Sequence, residues 1–140
     1  MSTFSLHPHL ASGTHPLGHL HGCRILLKDH AQFPWILIVP EVPEPIEDLH
    51  ELDDVQYAAV TQLIRSISQW MSESFQPTKM NVACIGNQVR QMHVHLVARS
   101  EDDPAWPGTV WAYSGKQPYH PEKIREVQDA FSAAFPVEVI

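Results

Sequence analysis

Two histidines one residue apart, His93 and His95, are the side chains in this sequence best placed to do chemistry. They lie in the run Gln91-Met-His-Val-His-Leu-Val-Ala-Arg99. In a β-strand, side chains alternate between the two faces. One face would carry Met92, Val94, Leu96 and Ala98, all apolar. The other would carry Gln91, His93, His95, Val97 and Arg99. Two imidazoles on one face reach the same small ligand, so the strand can build a phosphate site or a metal site. Neutral imidazole is also a nucleophile near pH 7, because its ordinary pKa is about 6.5.

The surrounding elements must hold that strand. Cys23–Leu27 and Trp35–Val39 read as two strands of an antiparallel hairpin joined through Lys28–Pro34. Glu41–Leu49 is an acidic, proline-punctuated loop, expected to be solvated. A long helix follows over roughly Asp53–Phe75. Its stripe is Val60, Leu63, Ile64, Ile67, Trp70 and Met71, with Asp53 or Asp54 as cap and Gln76-Pro77 as terminator. Lys79–Ile85 reads as a strand, Gly86–Val89 as a turn and Gln91–Ala98 as the next strand. Pro121 opens a final helix to about Phe135. Residues 1–22 are rich in His, Pro and Gly and show no period, so they read as irregular. Short connections favour antiparallel neighbours. The expected class is α+β: one domain of 140 residues, an antiparallel sheet packed with one long central helix and a C-terminal helix.

Composition excludes several function classes. A formal charge of −7 argues against extended nucleic-acid binding, which needs a basic stripe. A small anion remains possible, since backbone N–H groups, amides and imidazoles hold anions without net charge. Cys23 and Cys84 lack CxxC spacing, against a disulfide scaffold or zinc knuckle. Cys84 lies in the apolar run Val82–Ile85 and is expected to be buried. The start of the chain has no basic segment followed by an apolar one, and no apolar run has the length of a membrane span. The expectation is a cytoplasmic protein with no membrane contact.

The stretch around the two histidines resembles the histidine triad (HIT) family, whose motif alternates His with hydrophobic residues, His-φ-His-φ-His-φ-φ. The matching residues are Gln91-Met92-His93-Val94-His95-Leu96-Val97. The second and third histidines match; Gln91 stands at the first. The resemblance includes Asn81, Gly86-Asn87-Gln88-Val89, Arg99 and Trp106-Pro107, and covers about residues 20–115. It implies hydrolysis or nucleotidyl transfer on nucleoside phosphoramidates or dinucleoside polyphosphates. His93 would attack the α-phosphorus and His95 would contact the α-phosphate and assist the leaving group. The resemblance also implies that Asn81, Asn87 and Gln88 border the phosphate, that Lys28 and Asp29 form the ribose turn, and that Ile25–Leu27 help wall the base. A purine nucleotide ligand and a homodimer are implied. No cofactor or metal is required, and magnesium is compatible with polyphosphate substrates. Two departures stand out. Gln91 cannot titrate, and Pro40–Pro43 lacks a further phosphate-contacting histidine found in several relatives.

Rival readings remain. His-x-His on a strand also suits a cupin-type metal-binding β-barrel, although the long helix fits such a barrel poorly. A nucleotide-binding module with a dead site is the alternative that Gln91 keeps open. His7, His9, His15, His19 and His21 match no zinc pattern and read as solvated or locally bonded. His30, His50 and His120 are expected at the surface. Trp35, Trp70 and Trp111 read as core or interface residues, and Trp106 as near the site or a dimer contact. Arg99 is as readily structural as catalytic.

Overall fold

The computed structural model describes residues 3–43 and 45–140; Met1, Ser2 and Glu44 of the expected N-terminal and acidic segments lie outside them. The apolar runs form a five-stranded antiparallel sheet. Its strands are β1 (Thr14–Leu20), β2 (Cys23–Lys28), β3 (Trp35–Pro40), β4 (Lys79–Ala83) and β5 (Val94–Arg99), in the order β1-β2-β3-β5-β4. The sheet is open rather than closed, which removes the cupin alternative. Its helices are α1 (Pro8–Ser12), α2 (Asp54–Phe75) and α3 (Pro121–Ala134). The α+β expectation holds.

Helix α2 begins where the sequence places it. Asp53 accepts from the Gln56 N–H at 2.8 Å, and Gln56 Oε1 accepts from the Asp53 N–H at 3.0 Å. This reciprocal cap satisfies donors that the helix cannot. Gln76, left-handed at φ 47°, ends the helix before Pro77. Val60, Leu63, Ile67 and Met71 are buried against Ile25, Leu27, Ile36, Ile38, Val94 and Leu96 of the sheet. Val127 and Phe131 of α3 join this core, and Trp70 packs edge-on against Phe75, Phe131 and Phe135.

The opposite face carries a second core. Leu26, Leu37, Val39 and Val97 meet Leu10, Phe33, Trp35 and Val110, with Phe4, Leu6 and Trp111 packed against them. The N-terminal arm and the chain after β5 therefore cover the side of the sheet that the two long helices leave free.

Three expectations change. Residues 8–12 and 14–20 are not irregular but form α1 and β1. A bulge between Pro16 and Gly18 interrupts the two-residue period, which hid the strand. Gly18 is required there: φ is 141°, and an added Cβ would lie 2.6 Å from Val137 Cβ. Cys84 is exposed, not buried. It follows β4, the sheet edge, where Val82 and Ile85 are also 47% and 42% exposed. An apolar run on an edge lacks a neighbour on one side, and periodicity does not reveal which strand is the edge. His30 is buried at 7% exposure rather than surface-placed; its Nε2 bonds the Gly115 carbonyl at 2.9 Å. His50 and His120 are exposed as expected.

Candidate active site

Strand β5 begins at Val94, so Gln91–His93 form its approach rather than its first pairs. The expected alternation survives. Met92, Val94, Leu96 and Ala98 enter the helix-side core, and His95 lies on the other face. There it sits in the cross-strand row Leu26–Leu37–His95–Ala83. His93 and His95 have ring centroids 4.7 Å apart. Both line a cleft of about 620 Å³, a size that suits a small ligand.

The hydrogen bonds assign the two tautomers. His93 Nδ1 lies 2.7 Å from the Gln91 carbonyl. A carbonyl only accepts, so Nδ1 carries the proton and Nε2 keeps its lone pair. The Trp35 indole Nε1–H donates to His95 Nδ1 at 3.0 Å. Indole only donates, so His95 carries its proton on Nε2. One ring thus offers a lone pair and its neighbour an N–H.

The electrostatics keep both rings neutral. Burial lowers the pKa of His93; the Gln91 bond opposes this, while the charges of Lys28 and His7 add to it. Burial pushes His95 down to about 3, helped by His93 and Lys28. Protonating His95 would also set an N–H against the Trp35 N–H. Burial lowers Lys28 too, with Lys116 adding and Asp29 opposing. Lys28 and Lys116 both line the cleft, and no carboxylate does among the described residues. The acidic chain keeps its negative charge away from this cleft.

Of the residues singled out in the sequence, His93, His95, Lys28, Asn87 and Gln88 line the cleft together. The turn carrying Asn87 and Gln88 opens at Gly86, whose φ of 63° favours glycine. Asp29 stands outside it: its carboxylate accepts from the Tyr119 N–H at 2.9 Å and lies 3.2 Å from His15 Nε2. Asn81 shares the histidine face but stands beyond the cleft, accepting from Arg99 Nη1 at 3.1 Å. Arg99 is structural, held by Asp103 at 2.7 and 3.0 Å. The Gln91 side chain turns to the N-terminal segment, bonding the His7 N–H and the Ser5 carbonyl. Among Ile25–Leu27 only Leu26 belongs to the site face; Ile25 and Leu27 join the helix-side core.

The sequence reading missed Trp35, Trp111, Lys116 and the arm residues His9, Leu10, Ser12 and Gly13, all lining the cleft. Trp111 packs edge-on to His95 at 5.2 Å. Trp106 instead packs over Arg99, at 5.6 Å. Trp35 carried a usable signal, because alternation from Val39 through Leu37 puts it on one face of β3, the face that His95 shares through its pairing with Leu37. The others come from the short helix α1, a single 3-10 turn at Val110–Ala112 and a loop, segments too short to show a period.

The HIT domain model matches residues 11–102, from the end of α1 through β5. The chain belongs to the histidine triad (HIT) family. A HIT protein from Sinorhizobium meliloti 1021 matches with a TM-score of 0.90 at 31% identity, covering 95% of this chain and 98% of its own. One from Marinobacter aquaeolei VT8 matches with a TM-score of 0.90 at 37% identity, covering 95% and 96%. One from Bradyrhizobium japonicum gives 0.90 at 32% identity, covering 94% and 98%. Among curated proteins none matches. The HIT match begins at residue 11, so it includes the strand β1 that the resemblance from residue 20 left out. Among the described residues, no helix is long and apolar enough to cross a membrane, and no group of three or more His, Cys, Asp or Glu is placed to hold a metal ion.

Proposed function

We propose that this HIT protein hydrolyses or transfers the nucleotidyl group of a purine nucleotide conjugate through a covalent His93 adduct. The observation that carries the reading is the tautomer pair: His93 presents Nε2 as a lone pair while His95 presents Nε2–H beside it. His93 Nε2 attacks the α-phosphorus, an Nε2–P bond forms, and the bond to the leaving group breaks. The leaving group departs with the electron pair and takes its proton from water. The phosphorylated ring is then a cation, and the Gln91 carbonyl stabilises its Nδ1–H. Water next attacks phosphorus, the P–N bond breaks and returns its electron pair to His93 Nε2, and the nucleoside monophosphate leaves. The proton lost by the attacking water neutralises the hydroxide left by the first step, so one water is consumed overall. A covalent adduct divides one hard displacement into two easier ones.

His95 donates to a non-bridging oxygen as a neutral group, a preorganised donor of the oxyanion-hole kind. Lys28 and Lys116 supply the positive charge that Gln91 does not, which suits a phosphoramidate or a dinucleoside polyphosphate. Leu10, Leu37, Trp35 and Trp111 give the cleft apolar wall for a base. The displacement as written needs no metal, and magnesium would travel with a polyphosphate substrate. A homodimer belongs to the reading: β4 is an open edge with Val82 and Ile85 exposed.

The test is reaction with adenosine phosphoramidate or a diadenosine polyphosphate, followed by rapid quench and intact mass measurement. An AMP adduct is expected, and His93→Ala should lose the adduct and lower AMP release about a thousandfold or more. Identical behaviour of parent and His93→Ala, with no adduct and no AMP, would defeat the catalytic claim. Thermal stabilisation by AMP without turnover would favour the non-catalytic module, a reading supported by the commitment of the Gln91 amide elsewhere.

A further inference from the structure

The position that the HIT motif gives to its first histidine holds an amide turned away from the imidazoles. Gln91 Oε1 accepts from the backbone N–H of His7 at 2.8 Å, and Nε2 donates to the Ser5 carbonyl at 2.9 Å. A primary amide carries an acceptor and a donor side by side, the complement that an adjacent strand offers an extended backbone. The two nitrogens of an imidazole point apart and cannot meet both groups. The arm so held continues into α1. There Leu10 is buried in the site-side core, and His9, Leu10, Ser12 and Gly13 form one wall of the cleft. The carbonyl of the same Gln91 accepts from His93 Nδ1 at 2.7 Å. One residue therefore holds the wall by its side chain and the nucleophile by its backbone.

We infer that Gln91 is a positioning residue that docks the N-terminal arm as the substrate-contacting wall of the cleft, in place of an acid–base group at this position. The inference rests on the nucleotide reading of the cleft. Truncating the amide frees the wall but leaves the backbone carbonyl on His93. Binding then weakens while the bond-making step stays intact.

His7 supplies an independent handle. Its φ of −54° is within the range of proline, so His7→Pro removes the N–H that Gln91 holds without forcing the backbone. The His7 ring also caps α1, accepting from the His9 N–H at 3.1 Å, and His7→Ala removes the ring while keeping the N–H that Gln91 holds.

The experiment compares the full-length parent with Gln91→Ala, Gln91→His, His7→Pro, His7→Ala and the Gln91→Ala/His7→Pro pair. It reads amide hydrogen exchange in the arm, AMP affinity, and steady-state kinetics with adenosine phosphoramidate. In Gln91→Ala and His7→Pro, arm exchange should quicken about tenfold and KM should rise about tenfold, with kcat within about twofold. Gln91→Ala breaks both bonds and His7→Pro one of the same two, so the pair should be no worse than Gln91→Ala alone. His7→Ala should match the parent, and Gln91→His should not restore arm protection. A fall in kcat with KM and arm exchange unchanged would overturn the inference, because Gln91 would then act on the reacting groups. Faster arm exchange with KM and AMP affinity unchanged would also overturn it, because the arm would not be the wall. A parent that neither binds AMP nor turns over the conjugate overturns the nucleotide reading instead, and the exchange data separate that failure from loss of the clip.

Discussion

The two faces of the sheet are buried by different means. On the helix side, α2 and α3 cover the strands and the buried side chains form one apolar cluster. On the other side, His30, His93, His95 and Arg99 are buried among the aromatic and aliphatic residues. Apolar burial is non-directional and tolerates exchange of similar shapes. A buried polar group needs a particular partner at a particular distance. Each of the four has one: the Gly115 carbonyl, the Gln91 carbonyl, the Trp35 indole, and Asp103 with Asn81. Three of those partners come from loops or from the strand approach. The helix side supplies tolerance, and the other side supplies defined proton positions.

The strongest way to break this contrast is Arg99→Ala. Arg99 is 1% exposed, and burial of its partner Asp103 is outweighed by bonds from Arg99, Ser100 and Ala105, which hold that carboxyl below its usual range. Removing the guanidinium leaves a carboxylate without its counter-ion. The expected loss is about 3–5 kcal/mol, read by chemical denaturation. A loss under about 1 kcal/mol would show that the site side is as tolerant as the helix side.

The second test uses pH. His95 sits at about 3 in the folded chain, below its ordinary 6.5, because of burial, His93 and Lys28. Between those values the unfolded chain binds more protons. Stability present above pH 6.5 is therefore lost as pH falls toward 3. Each such group contributes at most roughly 1.4 kcal/mol per pH unit, and His93 is shifted the same way. Unfolding free energies from urea titration at pH 7 and pH 5 should separate more in the parent than in His95→Gln, by about 1–2 kcal/mol. Equal separations would count against a buried neutral His95.

The smallest effect should come from the helix side. Ile67→Val removes one methylene from a fully buried position of α2. A loss of about 0.5–1.5 kcal/mol is expected, with AMP affinity unchanged. A matching loss of AMP affinity would show that the two faces are coupled through the sheet.

The elements that bury a repeating face were legible in the sequence. The stripe Val60–Met71 and its Asp53 cap gave α2 almost to the residue, and Pro121 gave the start of α3. The alternation Met92–Ala98 placed His93 and His95 on the face opposite the helices. Strand β1 was hidden because its bulge breaks the period that would reveal it. Lys116, Trp111 and the arm residues were not legible as cleft residues because the loop, the 3-10 turn and the five-residue helix that carry them are too short to show a period. Asp29 and Lys28 are neighbours in sequence, yet only Lys28 lines the cleft. It lies on the site face of β2, while Asp29 follows the strand end and is bonded to Tyr119.

The sequence by itself determined strands β2 to β5, the long helix and the pair of imidazoles on one face, because side-chain direction follows local backbone geometry. Only the tertiary structure decided what those imidazoles are. The Gln91 carbonyl and the Trp35 indole assign their protons, and a distant arm takes up the Gln91 amide. Those contacts join residues up to 86 positions apart, and no local period encodes them.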